Sequence, residues 1–268
     1  MCATCGCSDD AGVRLVELGV PEHSHGHDHA HNHEHAHPHA HSSPAPTVTI
    51  SLEQQVLAKN DVLAAETREW LTARGAVAIN LMSSPGSGKT TLLEATLHAL
   101  AGSVGVCVIE GDQETTFDAE RLHAAGAPVV QVNTGAGCHL DAAMVHSALH
   151  RLDPDGGLVL IENVGNLVCP ALFDLGEAAR VVIMSVTEGA DKPRKYPHIF
   201  RSASLVVLNK IDLLPYVDFD VDRFAADVAL LKPAAEIVQL SATRGDGMSR
   251  WLDWLAALMP NRVIGATH

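Results

Sequence analysis

Apolar residues along the chain fall into short runs separated by stretches of helical period. The runs 77–82, 104–109, 128–132, 158–161, 181–186, 205–208 and 237–240 have the length and β-branched content of buried strands. Helical spacing fills the stretches 92–101, 118–125 and 140–152 between them. Upstream, Leu52, Val56, Leu57, Leu63, Trp70 and Leu71 recur at helical intervals, and Ser51 with Gln54 forms a capping box, so a helix is predicted over 51–74. It is expected to pack on the domain that follows.

The first strand run ends in Ser83-Ser84-Pro85-Gly86-Ser87-Gly88-Lys89-Thr90-Thr91. A strand, a Gly-rich turn and a helix in that order are the context a phosphate-binding loop requires. Gly86 and Gly88 allow successive N–H groups to point inward at phosphate oxygens, and the helix adds its positive end. Ser87, Thr91 and the backbone of the loop complete the cradle. Lys89 is placed to reach the β- and γ-phosphates and the Thr90 hydroxyl to ligate Mg²⁺. The pattern G-x-x-x-x-G-K-[ST] is met except at its first position, where Ser83 stands.

Later strand ends carry the rest of a nucleotide site. The run 104–109 leads into Glu110-Gly111-Asp112, and a carboxylate such as Asp112 at the rim of an open parallel sheet can hold Mg²⁺ or its water. Glu162-Asn163-Val164-Gly165 has the shape of a switch, an acid near the metal with a Gly165 N–H that bonds the γ-phosphate and releases it on hydrolysis. Asn209-Lys210-Ile211-Asp212 selects the base, because the Asp212 carboxylate can accept from both N1–H and N2–H₂ of guanine. Ser241 and Ala242 can donate backbone N–H to guanine O6. GTP is therefore the expected ligand. No arginine stands out as an activator of hydrolysis; Arg194, Lys192 and Lys195 are candidates acting across a dimer.

Composition changes the picture in two ways. A formal net charge of -14 with no basic run argues against nucleic acid, and no apolar run is long enough to span a membrane. With no basic and apolar leader at its start, the chain is expected to be cytoplasmic, its thiols reduced. Seventeen histidines are the second anomaly. His23, His25, His27, His29, His31, His33, His35, His37, His39 and His41 alternate with small or polar spacers, so the segment is expected to stay disordered without metal and to buffer several Ni, Zn or Cu ions. A purification tag would not have acidic and alanine spacers at an internal position. Ahead of it, Cys2, Cys5 and Cys7 can converge on one ion, square-planar Ni(II) or tetrahedral Zn(II). Residues 1–46 are read as a metal-binding tail and linker, and 47–268 as the nucleotide domain including helix 51–74.

Cys107 lies inside a strand and reads as core. Cys138, His139 and Cys169 sit on the nucleotide rim, with Cys169 four residues past Gly165, so a moving switch should drag a thiolate. Three donors per chain leave a metal position open or shared with a second copy.

Ser83 to Thr90, Asn133-Thr134-Gly135 with Cys138-His139-Leu140-Asp141, Glu162 to Leu167 with Cys169-Pro170, and Asn209 to Asp212 together resemble the HypB family, the nickel-insertion GTPases of [NiFe]-hydrogenase maturation. Cys2, Cys5, Gly6 and Cys7 match the amino-terminal nickel motif of some members. The resemblance implies an α/β P-loop NTPase of the SIMIBI GTPase class, with a mostly parallel sheet flanked by helices and a GTP-promoted homodimer. It further implies Ni²⁺ or Zn²⁺ at Cys138, His139 and Cys169, and delivery with a HypA-type nickel chaperone to the hydrogenase large subunit. Urease-type relatives resemble Cys-Pro-His at the metal motif, where this chain has Cys169-Pro170-Ala171. A nickel storage protein, or a nickel GTPase serving urease, remains the alternative.

Overall fold

The computed structural model describes residues 14–17, 46–113 and 115–259, with side chains described from residue 54 onward. Cys2, Cys5, Cys7 and His23 to His41 lie outside the described residues. The elements run β1 (Arg14–Glu17), α1 (Pro46–Ala73), β2 (Ala76–Ser83), α2 (Lys89–Leu100), β3 (Val106–Asp112), α3 (Phe117–Ala124), β4 (Val129–Asn133), α4 (Ala142–Leu152), β5 (Gly157–Glu162), β6 (Ala179–Ser185), α5 (Lys192–Lys195), α6 (Pro197–Ser202), β7 (Leu205–Asn209), α7 (Val221–Leu231), β8 (Glu236–Gln239) and α8 (Met248–Ala257). Short 3₁₀ turns occupy Cys169–Leu172 and Ile211–Tyr216.

One sheet holds all the strands in the order β1-β4-β3-β5-β2-β6-β7-β8. β2 to β8 are parallel, and β1 joins β4 antiparallel at the edge. This is the α/β, mostly parallel P-loop architecture expected. Every predicted strand run became a strand, its ends displaced by at most three residues, the largest at β3, which runs on to Asp112. Helix α1 starts at Pro46 rather than Ser51, and α4 at Ala142 rather than Leu140, where Asp141 caps it by accepting from Met144 N at 2.8 Å. Arg14–Glu17, inside the stretch read as tail, is a sheet strand instead. Four residues carry too little period to announce one, and pairing with β4 supplies what the pattern lacks.

Strand alternation sorts the core. On one face Ile79 and Leu81 of β2, Val108 of β3 and Leu158 and Leu160 of β5 pack with Leu92, Leu93 and Leu97 of α2 and Trp251 and Leu255 of α8. Ala76 and Ala78, Cys107 and Ile109, and Val159 and Ile161 point the other way, against Leu71 of α1 and Val145 and Leu149 of α4. Cys107 is thus core, and burial pushes its thiol up to about 12. Beyond β2, the face formed by Val182, Met184 and Val206 packs against Phe200 and Phe224. Trp251 Nε1 donates to Thr96 Oγ1 at 2.8 Å, tying α8 to α2.

The same alternation continues past the core to the carboxyl ends of β3 and β5. Glu110 and Glu162 are register partners on the α2 side, while Gly111 and Asn163 face the α4 side. Two different chemistries therefore sit back to back on two strands.

Candidate functional site

The loop between β2 and α2 opens into a cleft of about 540 Å³ at the carboxyl edge of the sheet, lined by Pro85 to Thr91, Glu110, Asp112, Asp118, Arg121, Glu162 to Gly165 and Lys210. Gly86 and Gly88 take φ values of 74° and 95°. At Gly88 a Cβ would stand 2.5 Å from Asn209 Nδ2, so both backbone and neighbour demand glycine. Lys89 Nζ donates to Ser83 Oγ at 2.8 Å. The serine that departs from the loop consensus therefore supplies an acceptor for the lysine.

Thr90 Oγ1 donates to Glu162 Oε1 at 2.8 Å. Glu162 is buried, and desolvation, opposed by Lys89 and by the Thr90 hydrogen bond, pushes its carboxyl up to about 7. Glu110, beside it across the strands, is pushed up to about 9, by burial first and then by Glu162, Asp112 and Asp118. Glu110 Oε2 and Glu162 Oε2 have no hydrogen-bond partner. Two buried carboxylates with bare oxygens beside a threonine hydroxyl form a hard-oxygen set that a divalent cation such as Mg²⁺ would satisfy.

Asp112, the expected ligand, also lines the cleft, but its Oδ2 accepts from Thr115 N at 3.0 Å and from Thr115 Oγ1 at 2.6 Å. Glu110 was missed as a candidate because its neighbour Asp112 lies nearer the strand end. The period of two, counted from Val108, was the signal that could have found it.

Arg121 of α3 also reaches the cleft. It donates to Glu94 at 2.6 Å and Asp118 at 3.0 Å, and these partners hold its guanidinium above the usual arginine value, the Glu94 hydrogen bond foremost. The activators considered from sequence are engaged elsewhere. Arg194 makes a two-pronged pair with buried Asp227 at 2.7 Å, Lys195 pairs with Asp191 at 2.7 Å, and Lys192 lies 3.8 Å from Glu188.

At the far end of the cleft Asn209 is fully buried and acts as a strut. Its Nδ2 donates to Ser87 O at 3.0 Å, and its Oδ1 accepts from Ala242 N at 3.1 Å and Lys210 N at 2.7 Å. Lys210, at φ 62°, donates to Gly86 O at 2.6 Å. Asp212 lies 3.9 Å from Arg244, and buried Ser241 Oγ accepts from Arg244 N at 3.1 Å. Of the residues picked out for base recognition, Asp212 alone presents a carboxyl acceptor.

On the opposite side of the β3 and β5 ends, Cys138, His139 and Cys169 converge, their ligand atoms all within 4.8 Å of one another. Thirty-one positions separate the two cysteines, and the fold closes that gap. Cys138 Sγ is 3.7 Å from His139 Nδ1. The His139 ring stacks on Phe173 at 4.0 Å, and burial holds its pKa below the usual histidine value. Two thiols and an imidazole are a soft set suited to nickel or zinc. Val168 and Leu172, flanking Cys169, are exposed.

Two asparagines join the sites. Asn163, next to Glu162, accepts from Leu140 N at 3.1 Å and Val164 N at 3.0 Å. Its Nδ2 donates to buried Asn80 at 3.2 Å. Asn166 Nδ2 reaches Cys138 O at 3.4 Å, and Gly111 leaves room that a Cβ would take from Leu140, 2.8 Å away. The loop bearing Cys138 and His139 is thus fastened to the strand ends that line the cleft.

Comparison with known proteins converges on one group. Residues 77–239 match the family model of the CobW/HypB/UreG nucleotide-binding domain. Hydrogenase maturation factor HypB of Escherichia coli K12 is 57% identical over 205 residues, 76% of this chain and 71% of that protein. Hydrogenase/urease maturation factor HypB of Helicobacter pylori is 43% identical over 194 residues, 70% of this chain and 79% of that protein. The crystal structure of HypB from Helicobacter pylori in complex with nickel superposes with a TM-score of 0.72 at 38% identity, covering 78% of this chain and all of that one.

Proposed function

The chain belongs to the HypB family of hydrogenase maturation factors, and on that premise we propose that it is a GTP-hydrolysing nickel metallochaperone that delivers Ni(II) for insertion into the active site of [NiFe]-hydrogenase. The observation that carries the reading is the shared wall between the two sites. Asn163 and Asn166 bond the metal loop directly to the strand end and switch that carry Glu162 and Gly165.

In this reading the loop 85–91 cradles the phosphates, Lys89 exchanges Ser83 for the β- and γ-phosphates, and Asp212 reads guanine. Mg²⁺ would be held by Thr90 with Glu162, Glu110 or Asp112, and would neutralise charge on the phosphates when bound. Filling the cleft draws Gly165 toward the γ-phosphate and moves Glu162, and Asn163 passes the shift to Leu140 and hence to Cys138 and His139. Nickel is the cargo, gathered by the amino-terminal segment and passed to the three rim donors; the nickel complex of the Helicobacter pylori relative supports that choice of metal. Three donors leave a coordination position for a second copy, and exposed Val168 and Leu172 offer the apolar surface for a GTP-promoted dimer. Handover to a HypA-type chaperone and the hydrogenase large subunit completes the proposal.

Coupling of useful size is within reach. A tenfold change in nickel affinity needs about 1.4 kcal/mol, and one hydrogen bond such as Asn163 to Leu140 is worth about 1 kcal/mol. With Arg194 and both lysines held elsewhere, turnover without a partner should be slow, on the order of 10⁻⁴ to 10⁻² s⁻¹.

The test is the Ni(II) affinity of the full chain with GDP and with a non-hydrolysable GTP analogue, taken as the difference between wild type and a Cys138→Ser/Cys169→Ser variant. That difference isolates the rim, whereas deleting residues 1–46 would also strip β1 from the sheet. Equal rim affinities in the two nucleotide states would remove the coupling. The Helicobacter pylori relative is named for hydrogenase and urease together, so a second reading adds urease as a recipient; loss of urease activity in a knockout would favour it.

A further inference from the structure

The face of α4 turned toward α1 carries two imidazoles used by neither site above. His146 and His150 lie one helical turn apart, with their Nε2 atoms 3.0 Å from each other and their rings at 74°. His146 is half-buried, and its Nδ1 stands 3.1 Å from Oγ1 of Thr67, a fully buried residue of α1. With Nδ1–H donating to Thr67, the Nε2 lone pair of His146 faces His150. His150 is exposed and meets Trp70 edge-on at 5.2 Å between ring centroids. Arg74 lies over Trp70 and is held by Asp153 at 3.2 Å.

We infer that His146 and His150 form a second metal site, in which both Nε2 atoms chelate one Cu(II)- or Ni(II)-class ion on the surface of α4. Histidines at i and i+4 on one helix face are a recurrent bidentate pair. With metal–nitrogen bonds of about 2.0–2.1 Å, a gap of 3.0 Å corresponds to a nitrogen–metal–nitrogen angle of roughly 94°. That angle is close to the right angle of square-planar or octahedral cis ligands, and a tetrahedral ion would need about 3.3 Å. Geometry and the Irving–Williams order together favour Cu(II) and Ni(II) over Zn(II). Thr67 is a positioning residue, fixing the tautomer and ring of His146 from the buried side. Water or an exogenous ligand fills the other positions, because no third His, Cys or acidic donor clusters here among the described residues. The site needs neither the nucleotide cleft nor the rim donors, so it stands or falls apart from the function proposed above.

Trp70 makes the site observable, since Cu(II) or Ni(II) bound beside it quenches indole fluorescence. The full chain is titrated with Cu(II), and the quench lost on Trp70→Phe substitution is taken as the signal, removing Trp251 and Trp254. A saturable Trp70 quench is expected in wild type and in Cys138→Ser/Cys169→Ser, and its loss in His150→Ala. His150 is exposed, so that variant keeps its fold, which circular dichroism verifies. Thr67→Val should weaken the midpoint by about 10- to 100-fold, and Thr67→Ser should restore it. In crystals of the full chain soaked with Cu(II), anomalous scattering should place a peak between the two Nε2 atoms. An unchanged Trp70 quench in His150→Ala, no Trp70 quench in wild type, or no such peak would each reduce the pair to an imidazole–imidazole hydrogen bond and overturn the assignment.

Discussion

Replacing Glu110 with glutamine should make the nucleotide-free protein more stable at alkaline pH and flatten its stability profile. In the folded chain the carboxyl is pushed from 4.5 up to about 9 by burial and by Glu162, Asp112 and Asp118. Between those values the native state keeps a proton that the unfolded chain gives up, so unfolding free energy falls by about 1.36 kcal/mol per pH unit. From pH 5 to pH 8 the loss from Glu110 is up to about 4 kcal/mol, present in full as stabilisation below the unfolded value and gone once pH passes the folded one. Glu162, pushed up to about 7, adds a second decline of up to about 3 kcal/mol below neutrality. Glutamine has the same shape and no proton to lose, so only the Glu162 part should remain. The assay is urea unfolding followed by circular dichroism at half-unit steps from pH 5 to 8, with chelator and without nucleotide. A Glu110→Gln variant that declines as steeply as wild type between pH 7 and 8 would show that Glu110 ionises normally in the fold, and the crowded-carboxylate picture of the cleft would fail.

Three further substitutions probe other joints. Asn163→Ala keeps all three rim donors but leaves Leu140 N without its acceptor, so nickel should still bind while its affinity stops depending on nucleotide; calorimetry with GDP and a GTP analogue reads this, and a preserved dependence refutes it. Asp212→Asn replaces one acceptor with a donor, which should weaken GTP by about 2–3 kcal/mol and admit xanthosine triphosphate, whose O2 accepts; unchanged GTP affinity in a competition assay would remove Asp212 from base recognition. Trp251→Phe deletes the hydrogen bond to Thr96 and some core volume, for an expected loss of about 2 kcal/mol measured as a lower urea midpoint at constant m.

Much of the cleft was legible in the chain because its parts are contiguous. Pro85 to Thr91 is one turn between one strand and one helix, and each later motif begins where an apolar run stops. Asn209 shows the limit of that reasoning. Its motif marks it as a base reader, and its side chain also ties Ser87, Lys210 and Ala242 together. Side-chain partners 33 and 122 positions away leave no trace in local pattern. Ser83 runs the other way, since it is the one departure from the loop consensus and the fold uses it to hold Lys89.

Taken alone, the sequence determined the seven parallel strands and helices α1 to α4, where the phosphate loop lies and which residues can donate to a metal, because these depend on periodicity and near neighbours. Tertiary structure decided which donors meet. Parallel register set Glu110 against Glu162, chain crossing brought Cys169 to Cys138, and docking of α1 on α4 put Thr67 behind His146. The physical reason is that a side chain's chemistry is inherited from its residue type, whereas its partners are selected by the packing of faces that only the assembled sheet defines.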